Sequence, residues 1–125
     1  MGDIQQVAQQ FVNFYYQTFD ADRKNLAPLY RDSSMLTWEQ KPIQGTNAII
    51  QHLSELPFSS VQHQVSTLDA QPSSTSQASL IVLVTGNLVI DGGPNTLSYS
   101  QTFQLIPEGG TYYVFNDVFR LVYGA

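Results

Sequence analysis

The sequence contains no cysteine, which excludes a disulfide framework, thiolate zinc sites, iron–sulfur ligation and cysteine nucleophiles. A reducing compartment is permitted. Basic residues are scarce: five lysines and arginines stand against ten acids, for a formal charge of −5. That is the wrong sign for neutralising phosphates, so no nucleic-acid partner is expected, and basic protein patches are the natural counterpart. No uncharged apolar run reaches the ~18 residues of a membrane span, and no basic stretch precedes an apolar one at the N-terminus. A soluble intracellular protein with no membrane partner is the expectation. Gly-rich phosphate loops, paired-histidine helix motifs and calcium loops are missing as well, so no cofactor and no metal site are indicated.

What the chain does have is apolar material: 42% of its 125 residues are hydrophobic and 12% aromatic, enough for one core. A single domain over residues 1–125 follows. After Asp3, a candidate N-cap, apolar residues at Ile4, Val7, Ala8, Phe11, Phe14, Tyr15 and Phe19 take the 3/4 spacing of an amphipathic helix of about 16 residues. Leu26, Leu29 and Tyr30 repeat the pattern weakly, and Pro28 makes that second helix short or kinked. Asp20 and Asp22 offer caps between the two. Residues 34–38 and the stretch around Ile43 read as a small edge hairpin. Thr46 is placed to cap a third helix that stops near Leu56, because Pro57 pushes the preceding residue out of the α region.

Everything further on reads as β. Strands are expected over 61–71, 78–90, 97–106 and 111–123, with a loop at 72–79 and a hairpin turn at Pro107-Glu108-Gly109-Gly110. Leu80, Val82, Val84, Leu88 and Ile90 share one face of their strand, and Ile81, Leu83 and Val89 share the other. Both faces therefore need cover. The expected architecture is an α+β fold: a bent antiparallel sheet wrapped around a long N-terminal helix, with two shorter helices, forming a cone with an apolar cavity. The uncovered sheet face calls for a second copy of the chain.

The stretches FYYQTFDADRKNLAPLYRDSSMLTWE, IQGTNAI, LSELPFSSVQHQVSTLDAQP, VTGNLVID and SQTFQLIPEGGTYYVFNDVFRL, in this order, resemble the nuclear transport factor 2 family over almost the whole chain. The resemblance implies a homodimer that binds the GDP form of the small GTPase Ran and phenylalanine–glycine repeat nucleoporins. It implies a carrier taking Ran into the nucleus, present in cytoplasm and nucleus and concentrated at the nuclear pore. Transferred residue by residue, the Ran-binding set is Trp38, Glu39, Leu56, Phe58, Leu88, Ile90, Asp91 and Phe119. In that set an apolar mouth takes an aromatic side chain of the GTPase, and Glu39 and Asp91 meet its basic residues. Nucleoporin contacts fall to Ile4, Pro72 and Phe119. The chain departs from the family at Gly92-Gly93, where further acids are common, and at Ile4, where the family carries an aromatic residue.

Taken without the family, Trp38 fits either core packing or a pocket rim, since it sits beside Glu39 and Gln40 rather than inside an apolar run. Asp91, before Gly92-Gly93-Pro94, fits either a turn or a rim charge. Strand parity puts Asp117 on one face with Tyr113, Phe115, Phe119 and Leu121. A carboxylate there needs a hydrogen-bond partner, with His63 or a tyrosine as candidates. His63 and Asp117 also support a different class of function, a small-molecule isomerase or dehydratase, with Tyr15, Tyr16 or Tyr113 assisting. That constellation is of low specificity, and a binding protein without catalytic residues is the preferred reading.

Overall fold

A computed structural model describes residues 3–58, 60–94 and 96–122. The first helix, α1, spans Ile4–Ala21 and begins where Asp3 accepts a hydrogen bond from the Gln5 amide at 3.1 Å. Ala8, Val12, Tyr15, Tyr16 and Phe19 form its buried stripe, as the 3/4 spacing requires. It ends at Asp22, which also starts the next element by accepting from the Lys24 amide. That element is a 3-10 helix, Arg23–Leu29, holding Pro28 near its end. Asp20, the other expected cap, instead binds His63. The second α-helix, α2 (Thr46–Ser54), starts from Gly45 at φ 92 without a side-chain cap. Thr46 is thus its first helical residue and not its cap, because the chain needs the left-handed region for the turn and only glycine adopts it freely.

Six strands form one sheet: β1 (Tyr30–Trp38), β2 (Lys41–Gln44), β3 (Val61–Pro72), β4 (Leu80–Ile90), β5 (Thr96–Glu108) and β6 (Thr111–Leu121), in the order β2-β1-β6-β5-β4-β3. β3 to β6 form the expected antiparallel meander, closed by a two-residue turn in which Gly109 and Gly110 both have positive φ. The sheet as a whole is mixed and not wholly antiparallel, because β1 pairs parallel to β6, with Trp38 opposite Phe119. No local pattern encodes that pairing: β1 enters after the two helices, and a long excursion through α2 and β3–β5 separates it from β6.

The sheet bends where β3 crosses β4. Ser66 is an extra residue in β3, lying between the pairs Val65–Gly86 and Thr67–Thr85. A bulge of this kind sharpens the local twist. Gly86 sits under the bend, and a Cβ built there would lie 2.2 Å from the Gln64 carbonyl oxygen and 3.0 Å from a ring carbon of Tyr99. The bent sheet wraps α1 on its inner face, where Val82, Val84, Phe103, Leu105 and Val114 are buried with the α1 stripe. The outer face keeps large apolar side chains exposed: Ile81 (37%), Leu83 (42%) and Val118 (47%).

Gly86→Ala tests the bend. Overpacking of this kind costs about 1–3 kcal/mol, and since the obstructing atom is backbone, chemical denaturation should place the loss at or above that range. An unchanged midpoint would show that β3 can move away freely.

Candidate functional site

An apolar pocket of about 240 Å³ opens between the β1–β2 hairpin, the loop after α2 and the ends of β4, β5 and β6. Its lining is Trp38, Leu56, Pro57, Phe58, Leu88, Ile90, Leu97, Phe119 and Leu121. All six apolar residues that the family resemblance implies for a mouth are therefore brought together. Pro57, Leu97 and Leu121 complete it and were not anticipated. Leu97 could have been found, since it opens a strand whose register sets it opposite Leu88.

An aromatic stack makes the rigid wall. Trp38 lies parallel on Phe119, with ring centroids 4.0 Å apart and planes 7° apart, and Phe119 stacks on Tyr99 at 5.7 Å. The parallel pairing of β1 and β6 produces this contact, since Trp38 and Phe119 are register partners. Trp38 is half-buried, so it serves both core and rim.

Glu39 and Asp91 flank the pocket from turns with positive φ, 50° and 52°. Glu39 and Gln40 (φ 79°) form the two-residue β1–β2 turn, a conformation that favours glycine or asparagine and stores strain beside the mouth. Hydrogen bonds hold it: the Glu39 amide donates to the Phe119 carbonyl at 3.1 Å, and the Leu121 amide donates to Glu39 Oε1 at 2.5 Å. Asp91 Oδ1 accepts from the Ser60 amide at 2.8 Å, and the Asp91 amide donates to the Ser60 carbonyl at 2.9 Å. Both acids are thus oriented by backbone and not left to swing.

Ile4 and Pro72 lie elsewhere. Ile4 is half-buried at the start of α1, near β3, where Gln5 Nε2 donates to the Leu68 carbonyl at 2.7 Å. Pro72 is exposed at the end of β3, opposite Leu80. Phe119, assigned to both sets, is 2% exposed and belongs to the mouth, with β4 and β5 between its strand and that of Pro72. On the outer face, Asp69, Ala70, Gln71, Ile81, Leu83 and Thr102 line a second, shallower cavity of about 400 Å³.

Asp117 is 1% exposed. Its Oδ2 accepts from the Tyr30 hydroxyl at 2.8 Å and the Tyr15 hydroxyl at 3.3 Å, and its Oδ1 accepts from Gln101 Nε2 at 2.8 Å. The Tyr16 hydroxyl donates to Gln101 Oε1 at 2.8 Å. A tyrosine partner was expected; Tyr30 and Gln101 were not. His63 is not a partner: its Nδ1 meets Asp20 at 2.7 Å while its ring stacks on Tyr16 at 4.0 Å. Tyr113 and Phe115 are not on the Asp117 face either. The β5–β6 register shifts between the pairs Leu105–Val114 and Gln104–Asn116, leaving Phe115 as an extra residue. That inverts the alternation, so Val114 points inward with Asp117, and Tyr113 instead lies under the Arg31 guanidinium at 4.8 Å.

Burial pushes the Asp117 carboxyl up to about 6, against the pull of its hydrogen bonds from Gln101, Tyr30 and Tyr15. Burial likewise raises the hydroxyls of Tyr15, Tyr30 and Tyr16 well above their ordinary value, keeping them protonated donors.

Fold and site together define a cone-shaped α+β domain with a mixed sheet, an aromatic-walled mouth and a sealed polar core. The chain belongs to the nuclear transport factor 2 family: the model of the nuclear transport factor 2 domain matches residues 7–121. It is 61% identical to nuclear transport factor 2 of Emericella nidulans, with all of both chains covered, and 53% identical to that of Schizosaccharomyces pombe, covering 99% and 100%. Among solved structures, nuclear transport factor 2 from Cryptosporidium parvum is 43% identical over 95% of this chain and 94% of that one, with a TM-score of 0.88. A putative scytalone dehydratase from Novosphingobium aromaticivorans, 13% identical over 94% and 83% with a TM-score of 0.79, shares the fold alone.

The Asp117 network makes stability depend on pH. Its folded value is raised above 3.8, so its contribution is fully present below about pH 4 and is lost as pH rises through about 6. The rise corresponds to about 3 kcal/mol. Asp117→Asn should remove this dependence, gaining on the parent protein by up to that amount between pH 4 and 7 in urea titrations. Parallel curves for the two proteins would refute the assignment.

Proposed function

We propose that this protein is a homodimeric nuclear import carrier that binds Ran in its GDP form and phenylalanine–glycine repeat nucleoporins, moving between cytoplasm and nucleus through the nuclear pore. The observation that carries the reading is the mouth. A pocket of about 240 Å³ lined by apolar side chains between two backbone-tethered acids suits an aromatic side chain flanked by bases on a partner protein. The family and the full-length relatives named nuclear transport factor 2 support it. An acidic chain of net charge −5 agrees with a partner that presents bases.

The dimer is proposed through the outer sheet face. Ile81 and Leu83 on β4 and Val118 on β6 stand there on either side of β5, which contributes the polar neighbours Thr102 and Gln104, and together they offer an apolar surface that a second copy would remove from water. Nucleoporin phenylalanines are assigned to small apolar sites around Ile4 and Pro72. Each contributes at most ~1.5–3 kcal/mol before ordering costs, so contacts are brief and act in number. Catalysis is not part of the proposal. The relatives are named as transport factors, and Asp117 is enclosed by its own donors and not presented to a substrate.

Calorimetry with Ran loaded with each nucleotide tests the reading. Glu39→Lys introduces repulsion and should cost more than ~2–5 kcal/mol, whereas Asp91→Asn should lose less and leave measurable binding. Parent-like affinity for Glu39→Lys would remove the acids from the site, and unchanged affinity for Trp38→Ala would remove the mouth. Sedimentation at micromolar concentration and physiological salt should give the mass of two chains; a mass near 13.9 kDa would exclude the dimer.

A further inference from the structure

The mouth has one wall without regular secondary structure, the segment that carries Leu56, Pro57 and Phe58 between α2 and β3. Its far end is fixed by the Ser60–Asp91 hydrogen bonds. Its middle is fixed by a residue outside the pocket. Arg23 Nη2 donates to the Phe58 carbonyl at 3.0 Å, and the guanidinium carbon stands 5.0 Å from the centre of the Phe58 ring and 5.9 Å from that of Phe19. One planar cation therefore grips the backbone and the ring of the same wall residue while resting on a side chain of α1. Arg23 itself is fixed from behind, because Asp22 caps the 3-10 helix at the Lys24 amide.

The cost of this arrangement is visible. Arg23 Nη1 is buried without a hydrogen-bond partner among the described residues. An arginine serving only solubility would turn that donor to water, so its retention is compensated by the contacts with Phe58 and Phe19.

We infer that Arg23 is a positioning residue for the mouth: its guanidinium latches Phe58 in place, so that the pocket is already shaped when an aromatic side chain enters. Arginine meets this need better than lysine, since the guanidinium spreads its charge beside the ring while one N–H of its fixed fork reaches the carbonyl. The benefit is pre-organisation. Without the latch, part of the binding free energy goes into ordering the wall. The inference rests on the proposed carrier function only for its partner, and the state of the wall can be read without one.

Arg23→Met keeps the aliphatic stem and removes both contacts. In methyl-labelled protein, the Leu56, Leu88 and Ile90 signals should shift or broaden while those of Leu36 and Leu53 in the core stay in place. Affinity for Ran-GDP should fall by about tenfold, the size expected for one hydrogen bond with one cation–π contact. Arg23→Lys should recover only part of the loss. In a Phe58→Leu background, Arg23→Met should cost less than in the parent protein, because the ring contact is gone and only the hydrogen bond to the residue-58 carbonyl remains to be lost. Unmoved pocket methyls, or full additivity of the two substitutions, overturns the latch. If Arg23→Met is too unstable to study, the Arg23→Lys and Phe58→Leu cycle reads the same coupling. If the parent protein fails to bind Ran-GDP, the functional reading falls, and the methyl signals still decide for or against the latch.

Discussion

The carboxylate of Asp117 takes hydrogen bonds from α1 through Tyr15, from β1 through Tyr30 and from β5 through Gln101, so four segments distant in sequence converge on two oxygen atoms. In a low-dielectric interior each of these groups would be costly alone, and together they satisfy one another. The network has one arrangement in which all partners meet, and it fixes how α1 lies across the sheet. Two residues further along β6, on the same face, Phe119 receives Trp38. The polar core and the aromatic mouth thus share one strand, and the position of the first sets the position of the second.

Asp117 also shows how a protein tolerates an expensive group. Its raised value means that the ionised form is held against burial, with three donors compensating only in part. The donors are themselves buried tyrosines whose protons are hard to remove. Near neutrality the tyrosines therefore stay protonated, and Asp117 is the titrating member of the network. The arrangement resembles a catalytic pocket in composition, yet the carboxylate has no free approach, and the group acts as a structural tie.

At the mouth the division of labour differs. Apolar side chains from five segments form the surface, while the two acids sit on strained turns and are held by backbone amides. A charge held this way loses little entropy when it meets a base on a partner. The Gly92-Gly93 stretch following Asp91 carries no side-chain charge, so the rim of this chain concentrates its acidity at Glu39 and Asp91. The outer sheet face, apolar and broad, has no role in the mouth and is available for a second surface.

The sequence by itself determined whatever depends on local periodicity and turn chemistry. The apolar spacing of α1, the Gly109-Gly110 hairpin, the two-faced pattern of β4 and the capping by Asp22 were all legible, because each is set by neighbours a few residues apart. Resemblance to a family added the six apolar mouth residues, which no local pattern groups together. Only the tertiary structure decided the parallel pairing of β1 with β6, the inverted parity before Phe115, the choice of Tyr30 and Gln101 over His63 as partners of Asp117, and the grip of Arg23 on Phe58. The physical reason is common to all four. One extra residue in a strand reverses every side chain before it, and a contact across dozens of residues depends on where the sheet bends, which the amino acids making the contact do not encode.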